Sequence, residues 1–119
     1  MTKGQLEALI SNKMTAFQHE QLGRGAEGAK TYILNDMVIV RMKNVLTPAE
    51  KQLALTDQGR SLIKEIRDQL EQIIREKLES LIQELTNKTV ISIHNDISTK
   101  TGERIDIFIL DSSIEDIFK

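Results

Sequence analysis

The chain has 119 residues, of which 39% are hydrophobic and 29% charged, with a formal net charge of −2 and no cysteine. That is the composition of one globular domain over residues 1–119, and it excludes disulfides, thiolate metal sites and a cysteine nucleophile. A balance of 16 basic and 18 acidic residues, with one Tyr, three Phe and no Trp, argues against a nucleic-acid partner, which needs a basic surplus or stacking aromatics.

Residues 3–21 carry Leu6, Leu9, Ile10, Met14 and Phe17 at helical spacing, and the glycine-rich run Gly23-Arg24-Gly25-Ala26-Glu27-Gly28 ends the helix. Strands are predicted over 30–34 and Met37–Lys43, joined by Asn35-Asp36, whose side chains tolerate the left-handed backbone of a tight turn. In that register Ala29, Thr31, Ile33, Val38, Val40 and Met42 form the core face. Lys30, Tyr32, Leu34, Met37, Ile39 and Arg41 share the other. Thr47-Pro48-Ala49-Glu50 is a helix start, with Thr47 as cap, Pro48 where its missing N–H is harmless, and Glu50 closing a capping box. This helix is predicted to reach about Leu55, and Thr56 or Asp57 caps the next one.

That next helix, Asp57–Thr86, carries Leu62, Ile63, Ile66, Leu70, Ile73, Ile74, Leu78, Leu81, Ile82 and Leu85, spaced by threes and fours. At the helical rise it runs roughly 45 Å, more than a domain of this size can cover. Part of the stripe is therefore expected to meet a second copy, as a homodimer through the long helix, or another partner. Asn87 suits its C-terminal stop.

Two further strands are predicted over 89–95 and Arg104–Leu110, each with one mostly isoleucine face expected to be the buried one, and a helical turn over 113–119. The order α-β-β-α-α-β-β, with a short link inside each strand pair, predicts an α+β two-layer sandwich. A four-stranded antiparallel sheet would be covered by the long helix and the N-terminal helix.

Three groups of residues are candidates for chemistry. Gly23-Arg24-Gly25 could bind an anion, because a glycine-rich turn exposes backbone N–H groups and a guanidinium grips an anion through two bonds. Arg41, Arg60 and Arg67 are the further cations such a site could use, and a plain helix-to-strand connector is the competing reading. His94, Asp96, Arg104 and Asp106, with Lys30 and Arg41, are expected as a polar patch on the open sheet face, against a competing reading of cross-strand ion pairing. Arg67 lies at the edge of the long helix's apolar stripe and calls for a carboxylate partner, for which Asp96 is a candidate. No catalytic constellation, metal-ligand set or cofactor motif is read: His19 and His94 lie in different elements, without the spacing of a helical metal site.

Several stretches taken together carry a resemblance. They are Gly23-Arg24-Gly25, residues 36–41, residues 45–53 with their Leu-Thr-Pro-Ala-Glu core, Gly59-Arg60, and Asn95-Asp96-Ile97-Ser98 followed by Thr101-Gly102-Glu103. In this order the chain resembles the small bacterial MpsC-like family over nearly its whole length. Ala26 stands where the family often has Pro, and Asn95 where it often has Ser. The resemblance implies an accessory role in a Na+-translocating, membrane-potential-generating system linked to inorganic-carbon uptake, and assigns no catalytic residues.

No stretch approaches the roughly 18 apolar residues of a membrane span, and the first residues lack the apolar run of a signal peptide. The expected location is cytoplasmic, with any membrane-transport partner met peripherally. Three functions compete: a non-enzymatic accessory or regulatory protein, a small-anion or metabolite-binding module, and an enzyme of unknown class relying on His94, Asp96 or Asp106.

Overall fold

A computed structural model describes residues 1–23 and 26–118. The elements are α1 (Lys3–Leu22), β1 (Gly28–Leu34), β2 (Met37–Lys43), α2 (Pro48–Leu53), α3 (Asp57–Thr86), β3 (Val90–Ile97) and β4 (Arg104–Leu110), followed by a 3-10 turn at Glu115–Phe118. All strand pairs are antiparallel, and the sheet order is β1-β2-β4-β3. The architecture is the α+β sandwich that the periodicities imply. Its four-stranded sheet carries α1 and α3 on one face.

Local chemistry accounts for the boundaries. Thr2 and Gln5 form a capping box at the start of α1, and Thr47 and Glu50 form the one read from the sequence at α2. Thr56 caps α3 by accepting from Gly59 N–H at 2.9 Å. Asn87, left-handed at φ 57°, closes α3 by donating its N–H to Gln83 O. Asn35, at φ 56°, makes the turn between β1 and β2, with Leu34 opposite Met37.

The core unites Leu6, Ile10 and Met14 of α1, Ile63, Ile74, Leu78 and Ile82 of α3, and the inner sheet residues Ile33, Val38, Val40, Met42, Ile93, Phe108 and Leu110. Each fully buried side chain of this kind stabilises the fold by about 1.5–3 kcal/mol. The stripe on α3 is divided by this packing. Its sheet-facing residues are buried, whereas Leu62, Ile66 and Ile73 stay exposed, Ile73 at 76%. The molecule measures 49 × 24 × 21 Å, its long axis matching the length of α3.

The second strand pair departs from expectation. In β4 it is Arg104, Asp106, Phe108 and Leu110 that point to the helices, and Ile105, Ile107 and Ile109 that point away. The reason is register. Directly paired residues share a face, and Arg104, Asp106 and Phe108 pair with the core residues Met42, Val40 and Val38 of β2. A bulge between Val90 and Ser92 then separates Ile91, which is 65% exposed, from the buried Ile93. Arg104 and Asp106, expected in a polar patch on the open face, are therefore interior residues.

Candidate functional site

One concavity is a groove of about 660 Å³, inside the range of small-ligand sites. Three elements build it. The end of α2 supplies Lys51, Ala54 and Leu55, the first turn of α3 supplies Arg60, and the β3–β4 loop supplies Thr99, Lys100, Thr101 and Gly102. Leu46 forms the floor where β2 leads into α2.

This corner depends on Gly59. A Cβ there would lie 1.8 Å from Leu53 O, so only glycine lets α3 start against the end of α2. Arg60, the next residue, donates Nη1–H to Ala54 O at 2.7 Å and pairs through Nη2 with Asp57. On the opposite wall Val45 N–H donates to Gly102 O at 2.9 Å, tying the β3–β4 loop to the chain entering α2. Gly102 N–H donates to Ser98 O at 2.8 Å and Thr101 N–H to Ser98 Oγ, which shapes the loop itself.

Electrostatically the groove is one-sided. Lys51, Arg60 and Lys100 line it, and no acidic residue does among the described residues. Neither lysine has a carboxylate partner among the described residues. Two threonines and the apolar surfaces of Leu46 and Leu55 complete a surface suited to an anion with some carbon attached.

Beneath α3 lies a buried polar layer. Arg67, 4% exposed, donates Nε–H to Glu50 Oε2 at 2.8 Å, and its Nη2 donates to Glu50 Oε1 at 2.6 Å and to Val45 O at 3.0 Å. Its partner is therefore Glu50 and not Asp96, which accepts from Lys64 at 3.2 Å and from its neighbour Ile97 N–H at 2.8 Å. Arg104 holds Asp106 through three contacts of 3.1–3.2 Å, both side chains being buried. A space of about 40 Å³, lined by Arg67, Arg104, Lys64, Asn95 and Asp96 among others, separates the two pairs and is too small for a metabolite.

These surroundings set the carboxyl groups apart. Burial alone would raise the pKa of Glu50, but the hydrogen bonds from Arg67 and Thr47 and the Arg67 charge outweigh it and leave it lowered. Asp96 is lowered chiefly by the Ile97 N–H. Asp106 is raised by burial, which its Arg104 partner only partly offsets.

The structure thus separates the arginines grouped from the sequence. Arg60 lines the groove, Arg67 is neutralised by Glu50, and Arg41 lies on the open sheet face, donating to Glu103 Oε2 at 2.6 Å. Gly23 is the left-handed stop of α1 at φ 82°, while Arg24 and Gly25 lie outside the described residues. His94 stays on the outer face, 3.2 Å from Ser92 Oγ, away from buried Asp106. No group of three or more His, Asp or Glu among the described residues could hold a metal ion.

Sequence reasoning missed Lys51, Thr99, Lys100 and Thr101. One signal could have found them: three of the stretches that carry the family resemblance, 45–53, Gly59-Arg60 and Thr101-Gly102-Glu103, converge on this groove. The family model described as Na+-translocating membrane potential-generating system (MpsC) matches residues 2–112. The uncharacterized protein YbcI of Bacillus subtilis (strain 168) is 40% identical over 114 residues, covering 96% of this chain and 92% of that protein. No solved structure matches. With the family model spanning nearly every element of the fold, and a full-length relative alongside it, the chain belongs to the MpsC family.

Proposed function

We propose that this protein is a non-enzymatic accessory or regulatory component of a Na+-translocating, membrane-potential-generating system, acting from the cytoplasm and responding to a small anion held in the groove. The observation that carries the reading is the meeting of Lys51, Arg60 and Lys100 in a groove of ligand size whose lining holds no carboxylate among the described residues, Arg60 alone of the three being paired, with Asp57. Bicarbonate, phosphate and small carboxylates share the chemistry this surface recognises, and the inorganic-carbon link implied by the family makes bicarbonate the first ligand to try. No helix among the described residues is long and apolar enough to cross a membrane, so contact with the translocating subunits would be peripheral. A homodimer through the long helix, as expected from the sequence, would bury Leu62, Ile66 and Ile73, and the open sheet face is the competing surface for a second copy.

Thermal-shift titration at constant ionic strength tests the site, since a ligand at a hundred times its Kd stabilises by about 2.7 kcal/mol. Stabilisation by one of these anions that disappears in Lys100→Ala and Lys51→Ala supports the reading. Stabilisation indifferent to both substitutions removes the site. Capture of translocating-system subunits from solubilised membranes tests the accessory role separately. A chain that binds an anion but no membrane component would instead be a free-standing anion-binding module, the second reading that the groove favours. The catalytic alternative gains nothing from the geometry, because His94, Asp96 and Asp106 do not meet.

A further inference from the structure

The sheet face away from α1 and α3 is covered by no element among the described residues, and its side chains form three rows across the strand order β1-β2-β4-β3. The first row is Leu34, Met37, Ile109 and Ser92, and the second is Tyr32, Ile39, Ile107 and His94. The third is Lys30, Arg41, Ile105 and Asp96. Seven apolar or aromatic side chains therefore make one patch, with Leu34 50% and Tyr32 46% exposed. A contiguous apolar patch of this size is often an interaction site.

We propose that this face is the homodimer interface, a second copy packing sheet on sheet about a twofold axis parallel to the strands. The charge pattern selects this occupant and this axis. The third row runs basic at β1 and β2 and acidic at β3. A twofold along the strands lays β1 over the second copy's β3, and β2 over its β4, while keeping each row above itself. Lys30 then meets the second copy's Asp96, which already holds Lys64 of its own chain at 3.2 Å but, at 80% exposure, is open to a second cation, and Tyr32 meets its His94. Ile39 meets its Ile107, and Met37 its Ile109. A twofold across the strands would instead set Lys30 over Leu34 and Asp96 over Ser92, pairing no charges, whereas along the strands Arg41 lies over the second copy's Ile105 but keeps Glu103 of its own chain.

Area sets the strength of the association. Four strands about 4.8 Å apart and seven residues long make a footprint of about 440 Å², roughly half the area each partner gives to a standard interface. The dimer is therefore concentration-dependent, not permanent. The alternative surface on α3 presents Leu62, Ile66 and Ile73 as its exposed large apolar side chains.

Sedimentation equilibrium of the full chain from about 1 to 300 µM is the test, a range that spans weak to moderate self-association. A monomer–dimer equilibrium is expected, weakened at least about tenfold by Ile107→Glu or Tyr32→Glu and unchanged by Ile73→Glu. These side chains lie outside the core, and circular dichroism confirms that each variant is folded. Leu34→Cys and Ser92→Cys in this cysteine-free chain report the axis, because the proposed packing sets Leu34 over Ser92 of the second copy. A bismaleimide reaching roughly 10 Å, the distance between packed sheets, joins the two variants when mixed far better than either alone. A monomer throughout the range overturns the proposal. So does a dimer lost in Ile73→Glu but kept in Ile107→Glu, or a dimer in which the mixed variants cross-link no better than the single ones.

Discussion

Arg67, at the middle of α3, grips both carboxylate oxygens of Glu50, at 2.8 and 2.6 Å, and Glu50 Oε1 also accepts the Thr47 N–H at 2.9 Å. One carboxylate thus closes the capping box of α2 and locks that helix to α3. The groove, whose walls are the end of α2 and the first turn of α3, inherits its shape from this contact. Glu50→Ala is expected to lower stability by about 3 kcal/mol, because it leaves a buried guanidinium uncompensated and removes half of a cap. Urea unfolding measures the loss, and a change below 1 kcal/mol would mean that the pair does not join the two helices.

The same contact has a pH signature. The folded pKa of Glu50 lies below its ordinary value of 4.5, so its stabilisation is complete above that value and is lost as pH falls through the depressed folded value. Asp106 has the opposite sign: its folded pKa is raised above 3.8, so its contribution is full below 3.8 and is lost as pH rises through the raised value. Subtracting the pH–stability curve of Glu50→Gln from that of the wild type should leave a component that declines on acidification below about pH 4.5. A difference independent of pH would show that Glu50 is not charged in the fold.

The interior pair Arg104–Asp106 predicts strong non-additivity. Asp106→Ala alone strands a buried guanidinium and should cost about 3–5 kcal/mol, whereas Arg104→Met with Asp106→Leu should be neutral or stabilising by about 1–4 kcal/mol. A double-mutant cycle followed by thermal unfolding tests this. Additive losses would place the two side chains in contact with water.

Gly59→Ala should destabilise by about 1–3 kcal/mol and, unlike a distant substitution of equal cost, should also weaken anion binding, because relieving the clash with Leu53 O moves α2 away from Arg60. Calorimetric titration beside a stability-matched core variant separates the two effects. Unchanged binding would show that the corner does not shape the groove.

Much of this fold was written in short-range patterns. Helix periodicity marked α1 and α3, and Thr47-Pro48-Ala49-Glu50 marked the start of α2 with its cap in place. Asn35 supplied the turn conformation that pairs β1 with β2, and within that hairpin the inner and outer faces followed directly from alternation. These features depend on residues a few positions apart, whose steric and hydrogen-bonding preferences act whatever the rest of the chain does.

The second strand pair was not readable in this way. Alternation in β4 offers two faces, Ile105, Ile107 and Ile109 or Arg104, Asp106, Phe108 and Leu110, and hydrophobicity alone favours the isoleucines. Pairing with β2 puts the other set inside, where Phe108 fills the core and the two charges satisfy each other. The groove is of the same kind. Lys51, Arg60 and Lys100 come from three separate elements, and nothing in their local sequence draws them together.

From its residues alone, then, this chain specifies its helices and strands and their order, because caps, turns and apolar spacing are local forces, while β1, α2 and β3 begin or end up to two residues from the bounds those local patterns mark. Which strand lies beside which, which face of β4 is buried, that Arg67 meets Glu50 and that three cations share one groove all follow from packing. Those outcomes minimise the energy of the whole core at once, and no short stretch of sequence contains that sum.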